Sequence, residues 1–401
     1  MNLQLAHYSN PIEGSIQITG SKSESNRLLI LQQFFKNLKI ENLGNSDDAQ
    51  YMQKALASEV EVVDISHAGT AMRFLTSYFA VFEGRETILT GSKRMKERPI
   101  KILVEALQSL GADISYIENE GYPPIKIRGK KLSKSKVFIN GGVSSQYISS
   151  LLLIAPSLEN GLELEFEGKV TSVPYIKMTL GLLSELGIDN SWEGNTVKVV
   201  ATKAIKDTTA VVESDWSSAS YYFSLVALSE GATITLKSYK ENSLQGDSSL
   251  IGFYRELGVS TSFDSHVITL KKDVACKSHV EFDLANAPDI AQTIAVTCFG
   301  LGVSCVLTGL HTLKIKETDR LEALKSELTK LGADIEVTDK TLHLKPATKI
   351  NKEVLIKTFD DHRMAMAFAP LLLKTTIEIE DANVVSKSYP DFWTDIASIT
   401  S

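Results

Sequence analysis

Charged and hydroxyl-bearing residues gather at a few points of this chain, most densely at Gly20-Ser21-Lys22-Ser23-Glu24-Ser25-Asn26-Arg27. The stretch follows an alternating segment, residues 14–19, and precedes an apolar run, residues 28–35, so it reads as the junction of a strand and a helix. Hydroxyls, backbone N–H groups, fixed positive charges and the positive end of a helix dipole at one junction make an anion-binding site. A nucleotide-type phosphate loop is excluded by spacing, because Gly14 and Gly20 stand six apart and Ser21 intervenes before Lys22. Taken alone, the segment is equally readable as an ordinary capped helix with surface charge.

Other segments repeat the combination. Ala68-Gly69-Thr70-Ala71-Met72-Arg73 reads as a glycine turn into a helix, and Arg94-Met95-Lys96-Glu97-Arg98-Pro99 puts cations just before a helix whose first position is Pro99 or Ile100. Asn140-Gly141-Gly142-Val143-Ser144-Ser145-Gln146-Tyr147 offers two hydroxyls, an amide and a ring after a Gly-Gly turn, a patch suited to phosphate beside a polar ring. Lys314-Ile315-Lys316-Glu317-Thr318-Asp319-Arg320 and Asp360-Asp361-His362-Arg363-Met364 each open a helix, and the second helix is so apolar that its charged start should abut an interior cleft. Lys387 adds a cation near the C-terminus. Taken alone, the 68–73 and 94–99 segments are each readable as a solvated charge run, and Ser144-Ser145 as an ordinary helix N-cap. Together, Lys22, Arg27, Arg73, Arg98, Lys316, Arg320, Arg363 and Lys387 mark loop-to-helix junctions, where repeated βα units put their ligand-binding edges. Small polyanions are the ligands such a cleft would take.

Composition limits the alternatives. At 401 residues, 43% hydrophobic and 23% charged, the chain is an ordinary globular one with room for more than one domain. A net charge of −7 argues against nucleic acid or an anionic membrane as the main partner. Cys276, Cys298 and Cys305 lack metal-ligand spacing and are odd in number, so they read as buried filler in a reducing compartment. None of the seven histidines forms an HxH or HxxxH pair, and no metal is expected. The first residues show neither a secretory nor a transit pattern, so a cytoplasmic protein is expected. Residues 290–310 carry no charge, but glycines and scattered hydroxyls mark them as a core helix followed by a buried strand rather than a membrane span.

The elements that must position these groups repeat along the chain. A helix, then Leu-Gly, then an alternating hairpin recurs at Leu110-Gly111, Leu186-Gly187, Leu257-Gly258 and Leu331-Gly332, with the glycines 76, 71 and 74 residues apart. Glycine is expected in the left-handed position that ends each helix. A fifth copy near Ala55-Leu56-Ala57-Ser58 lacks the Leu-Gly and most of its hairpin, so the first unit reads as truncated. An α/β fold of repeated βα units grouped into globular domains follows.

The segments GSKSESNR, AGTAMR, RMKERPI, SSQY, SVPYIK, ESDWSSAS, PDIA, KETDRL, DHRMAM and KSYPDF occur in this order from residue 20 to 392. In this they closely resemble the 5-enolpyruvylshikimate-3-phosphate synthase family of enolpyruvyl transferases. The resemblance implies a two-domain inside-out α/β barrel of βαβαββ units, with one domain at 21–213 and the other at 1–20 plus 214–401. It implies substrates in the interdomain cleft, no cofactor, a monomer, and transfer of the enolpyruvyl group of phosphoenolpyruvate to shikimate 3-phosphate in aromatic amino acid biosynthesis. Carried over residue by residue, Lys22, Ser23, Arg27, Ser144, Ser145, Gln146, Ser172, Tyr175, Asp289, Thr312 and Lys316 would hold shikimate 3-phosphate. Lys22, Gly69, Arg73, Arg98, Gln146, Arg320, His362, Arg363 and Lys387 would hold phosphoenolpyruvate, with Lys22, Asp289 and Glu317 in proton transfer. Guanidinium forks suit the carboxylate, and lysine point charges suit a phosphate that leaves.

The pattern departs from the family at Ser66-His67, where Gly-Asn is usual, at Phe74 for Pro, at Thr312 for Asn and at Leu313 for Trp. These changes bear on the phosphoenolpyruvate loop and hence on glyphosate, which occupies that subsite in the family. Binding is expected, because Gly69 leaves room that alanine would fill. Two rival readings are open to the same motifs. The sister transferase acting on UDP-N-acetylglucosamine usually carries a reactive cysteine in the loop matching residues 91–100, which has none here. A catalytically retired anion-binding scaffold would have little reason to keep every charged position.

Overall fold

The computed structural model describes residues 1–171 and 173–400. The chain divides into two compact units, Gly20–Val212 and a second made of Met1–Thr19 with Glu213–Ser401. Each unit repeats one motif. In its complete form, two parallel strands joined by a helix are followed by a second helix and a hairpin whose second strand pairs antiparallel with the second parallel strand. Val62–Asp64, Glu86–Thr90, Asp113–Tyr116 and Ile125–Arg128 make one such sheet. Lys136–Asn140, Leu162–Glu167, Asn190–Glu193 and Thr196–Val199 make another. In the second unit, His279–Asp283, Ser304–Thr308, Ile335–Val337 and Leu342–Leu344 form a third, and Glu13–Ile16, Thr233–Lys237, Val259–Asp264 and Val267–Lys272 a fourth, whose parallel strands are separated in sequence by the whole of Gly20–Val212 as well as by a helix.

Two sheets depart from this form. Among the described residues, Leu38–Glu41 pairs only with Thr208–Val211, in parallel, because the helix Asp47–Ala57 runs directly into Val62–Asp64 without a hairpin. That is the truncated unit. The other, Val354–Ile356 with Ile377–Ile379, is completed by the N-terminal strand Leu3–Leu5 instead of a hairpin.

The sheets alternate buried and exposed residues, as in Lys136–Asn140 and His279–Asp283, so one face of each is covered. What covers them is a set of apolar helices. Every residue of Trp216–Leu228 and of His362–Phe368 is buried, and Ala291–Leu301 is buried through Phe299. Helices buried on all sides lie inside, with the sheets outside, an inside-out arrangement. In Gly20–Val212 the inner helices are Lys22–Phe34, Gly69–Val81 and Ser145–Ile154.

Gly111, Gly187, Gly258 and Gly332 all take positive φ, between 75° and 107°, at the ends of their helices. The uncharged stretch resolves into the helix Ala291–Leu301 and the strand Ser304–Thr308. No helix among the described residues is long and apolar enough to cross a membrane, and no His, Cys, Asp and Glu group among them could hold a metal. Three expectations are corrected. Cys276 is exposed, and only Cys298 and Cys305 are buried filler. The 94–99 segment is not a plain loop, because Ser92 accepts a hydrogen bond from Met95 N and starts a short helix, Lys93–Lys96. The following helix begins at Lys101, with Ile100 at φ −136° outside it, so Pro99 is not its first residue.

Glycine cap positions should differ in tolerance. A Cβ on Gly187 (φ 75°) meets nothing within 4 Å, so Gly187→Ala should cost only the left-handed strain, about 1–2 kcal/mol in urea unfolding. A Cβ on Gly161 (φ 67°) would stand 2.3 Å from the Val199 carbonyl oxygen, and Gly161→Ala should cost clearly more.

Candidate active site

In Gly20–Val212 the polar residues collect at helix N-termini. Lys22 is the first residue of Lys22–Phe34, and its ammonium stands 3.6 Å from Asp48, in the first turn of Asp47–Ala57. Ser144 caps Ser145–Ile154, and the Gln146 amide donates to the Thr70 hydroxyl (3.2 Å) in the first turn of Gly69–Val81. Arg98 lies over Gly69 so closely that a Cβ there would be 2.5 Å from its Nη1. Converging N-termini with exposed Ser144 and half-buried Lys22, Ser23 and Gln146 form an anion-attracting surface.

Arg27 and Arg73 stand deeper, in the second turns of their helices rather than at the junctions. Arg27 is 2% exposed and donates to the Thr179 hydroxyl (2.8 Å), the Ser23 carbonyl (2.7 Å), the Ser149 hydroxyl (3.1 Å) and the Tyr175 carbonyl (3.2 Å). The Phe74 ring lies 5.4 Å from its guanidinium, which gives the departure at 74 a packing role. Arg73 donates to the carbonyls of Gly69 (3.0 Å) and Pro99 (3.3 Å). Burial lowers both guanidiniums to about 10, with Arg98 adding repulsion at Arg73, so both stay charged at neutral pH. Tyr175 is half-buried. Ser172 lies outside the described residues.

In the other unit, Arg320 organises the site. It is the first residue of Arg320–Leu331 and 2% exposed, and its three nitrogens reach three carboxylates. Nε donates to Asp361 (2.6 Å), Nη1 to Asp289 (3.0 Å) and Nη2 to Glu317 (2.8 Å). Burial works against its charge, but Asp361, Glu317 and Asp289 outweigh it and hold its pKa above the ordinary value. Asp289 also meets Lys316 (3.4 Å) and Arg363 (3.1 Å), so one carboxylate joins three cations. Asp361 caps His362–Phe368 through the Arg363 N–H (2.9 Å), and His362 is buried beside it. The Lys387 ammonium donates to the Asp360 carbonyl (2.5 Å). Thr312 is half-buried, with a hydroxyl that has no protein partner, and Leu313 is fully buried.

Two residues not foreseen as site residues complete this network. The Ser217 hydroxyl accepts from Arg363 (3.3 Å) and donates to the Asp247 carboxylate. Ser217 lies within a motif already singled out, but Asp247 carries no signal beyond being one acid in a polar loop. Desolvation, with the Asp289 charge second, pushes the buried Asp247 carboxyl up to about 7. An arrangement of clustered guanidiniums and acids can bind a small carboxylate and move protons at one centre.

The EPSP synthase (3-phosphoshikimate 1-carboxyvinyltransferase) family model matches residues 52–396. The chain belongs to the EPSP synthase family. A 3-phosphoshikimate 1-carboxyvinyltransferase of Bacteroides fragilis is 46% identical over 389 residues, 96% of this chain and 95% of that protein. One of Haemophilus influenzae is 36% identical over 423 residues, 97% and 96% of the two. An EPSP synthase structure from Acinetobacter baumannii superposes with a TM-score of 0.83 over 100% of this chain and 98% of that one, at 20% identity. The enolpyruvyl transferase NikO of Streptomyces tendae gives 0.74 at 13% identity, over 99% and 97% of the chains. The fold is thus the α/β enolpyruvyl transferase fold. As a member of the EPSP synthase family, the enzyme is a transferase that moves the enolpyruvyl group of phosphoenolpyruvate to shikimate 3-phosphate in aromatic biosynthesis.

The raised Asp247 carboxyl has a thermodynamic consequence. With a folded value near 7 against an unfolded 3.8, the folded state holds the extra proton between those pH values. Stability therefore falls as pH rises through that window. Asp247→Asn removes the titration, so its melting temperature relative to the parent should rise from pH 5 to pH 7.5 and level off above. A difference independent of pH would reject the assignment.

Proposed function

We propose that the two polar sets act on one substrate pair, in the roles that the resemblance to EPSP synthases suggests. Ser23, Arg27, Ser144, Ser145, Gln146, Ser172, Tyr175 and Thr312 serve shikimate 3-phosphate, with hydroxyls and helix N-termini taking its phosphate. Lys22 and Gln146 serve both substrates. Gly69, Arg73, Arg98 and Lys387 line the phosphate side of phosphoenolpyruvate. Arg320 and Arg363, with His362 beside them, take its carboxylate.

The observation that carries this reading is the Asp289 carboxylate, bound to Arg320, Arg363 and Lys316 at 3.0–3.4 Å. A carboxylate beside two guanidiniums can accept the proton of an attacking hydroxyl while the guanidiniums hold a substrate carboxylate. The 5-hydroxyl oxygen bonds to C2 of phosphoenolpyruvate as C3 gains a proton, giving a tetrahedral phospho-ketal. The C2–O bond to phosphate then breaks and C3 returns its proton, so the enol ether and inorganic phosphate are the products. Glu317 and Lys22 are assigned to the proton at C3 and at the bridging oxygen. No cofactor enters, because phosphoenolpyruvate already stores the reactive enol. A monomer working in the cytoplasm fits the same reading, as does glyphosate binding in the phosphoenolpyruvate subsite.

Phosphate release at fixed phosphoenolpyruvate tests the acceptor: release with shikimate 3-phosphate and none with UDP-N-acetylglucosamine is expected. Glu317→Gln should bind both substrates nearly normally and lose on the order of 10²-fold in turnover, and a variant with unchanged turnover would remove Glu317 from the chemistry. Gly69→Ala must displace the Arg98 guanidinium that lies over it. The expected result is a KM for phosphoenolpyruvate raised about tenfold and a weakened response to glyphosate, with the KM for shikimate 3-phosphate nearly unchanged. An equal KM for phosphoenolpyruvate in both proteins would place the subsite elsewhere.

A further inference from the structure

Lys387 ends the turn Ala382–Lys387, and two residues later the chain buries Tyr389 to 1% exposure. Tyr389 is not simply ring filler. Its hydroxyl donates to the Asp395 carboxylate (2.6 Å), and having given that proton it accepts from the Tyr222 hydroxyl (2.7 Å). Tyr222 is fully buried in Trp216–Leu228, the helix whose first turn presents Ser217 to Arg363. A relay of two phenols and a carboxylate thus runs from the Lys387 segment to the helix beside the Arg363 guanidinium. The hydroxyls need partners because a buried polar group without one is costly, whereas phenylalanine would fill the same space without that demand.

The segment is held at other points too. Tyr389 N donates to the Val385 carbonyl (2.8 Å), its ring meets Phe392 edge-on at 5.6 Å, and Trp393 Nε1 donates to the Ala382 carbonyl (2.8 Å). Ring packing tolerates sliding, but two directional hydrogen bonds on one oxygen do not. At the far end, the Lys387 ammonium bonds the carbonyl of Asp360, which with Phe359 forms two successive left-handed residues (φ 55° and 54°) immediately before the Asp361 cap. A small shift of the segment would therefore move the ammonium off a turn that sets both Asp361 and Arg363.

We infer that Tyr389 is a positioning residue for Lys387, acting through its hydrogen bonds to Tyr222 and Asp395. The inference rests on the reading that Lys387 serves phosphoenolpyruvate. Burial pushes both phenols upward from their ordinary value, so they stay protonated and the relay works as a fixed strut.

The test is steady-state kinetics with each substrate varied in turn, beside thermal melts. Tyr389→Phe removes both bonds and should raise the KM for phosphoenolpyruvate about fivefold, the low end of the net worth of two hydrogen bonds, with kcat within about twofold and the KM for shikimate 3-phosphate unchanged. Asp395→Asn keeps an oxygen acceptor for the Tyr389 hydroxyl and should leave the KM for phosphoenolpyruvate near the parent value. An unchanged KM in Tyr389→Phe, or both KM values and kcat worsening together, would overturn the inference. Should Tyr389→Phe fail to fold, Tyr222→Phe removes one of the two bonds and should raise the same KM by about twofold, an unchanged value again overturning it. Lys387→Ala separates the two levels. If it leaves the KM for phosphoenolpyruvate unchanged, the reading of Lys387 fails and takes the inference with it. If it raises that KM while Tyr389→Phe does not, the inference alone fails.

Discussion

The unit that carries Asp289 depends on one buried guanidinium. Arg320, 2% exposed, and Asp361, fully buried, are each other's counter-charge, paired at 2.6 Å. Removing either member of such a pair strands the other and costs about 3–5 kcal/mol. Asp361 is also the cap of His362–Phe368, so the same carboxylate that neutralises Arg320 fixes the start of the helix bearing Arg363. Asp289 and Glu317 then take the two remaining nitrogens, and their side chains are aimed by the guanidinium's planar fork. Site geometry and local folding are therefore one problem in this unit.

The other unit solves burial differently. Arg27 and Arg73 are surrounded by hydroxyls and carbonyls, which satisfy N–H groups without cancelling charge. Positive charge is left over where helix N-termini converge, and it is available to an arriving phosphate. Around Arg320 the cations already have acidic partners, so an incoming carboxylate would have to compete with Asp289 for the guanidiniums.

Much of this was legible in the residues. The period of the Leu-Gly copies gave the repeated units, because only a residue without Cβ sits easily at those positive φ positions. The missing hairpin was visible as a missing Leu-Gly. Charged residues that opened apolar helices marked the polar clusters of each unit, since charge beside a buried helix requires partners. What was not legible has physical causes. Asp247 has no periodicity, and its perturbed acidity comes from burial and from Asp289, residues distant in sequence. Arg27 and Arg73 looked like junction charges, but lie one turn further in, where only tertiary hydroxyls from Thr179 and Ser149 explain them. The Tyr222, Tyr389 and Asp395 relay joins the two ends of a long chain segment and leaves no local pattern.

The two-stranded sheet has a meaning for synthesis of the chain on the ribosome. Leu38–Glu41 finds its strand partner in Thr208–Val211, and Glu13–Ile16 pairs in parallel with Thr233–Lys237. Glu13–Ile16 therefore emerges early and must wait while the whole of Gly20–Val212 is translated, and that unit cannot close its own edge until its last strand has left the exit tunnel. A nascent edge is exposed for most of that time, and the charges of Lys39 and Glu41 on so short a strand limit its mispairing with neighbouring chains.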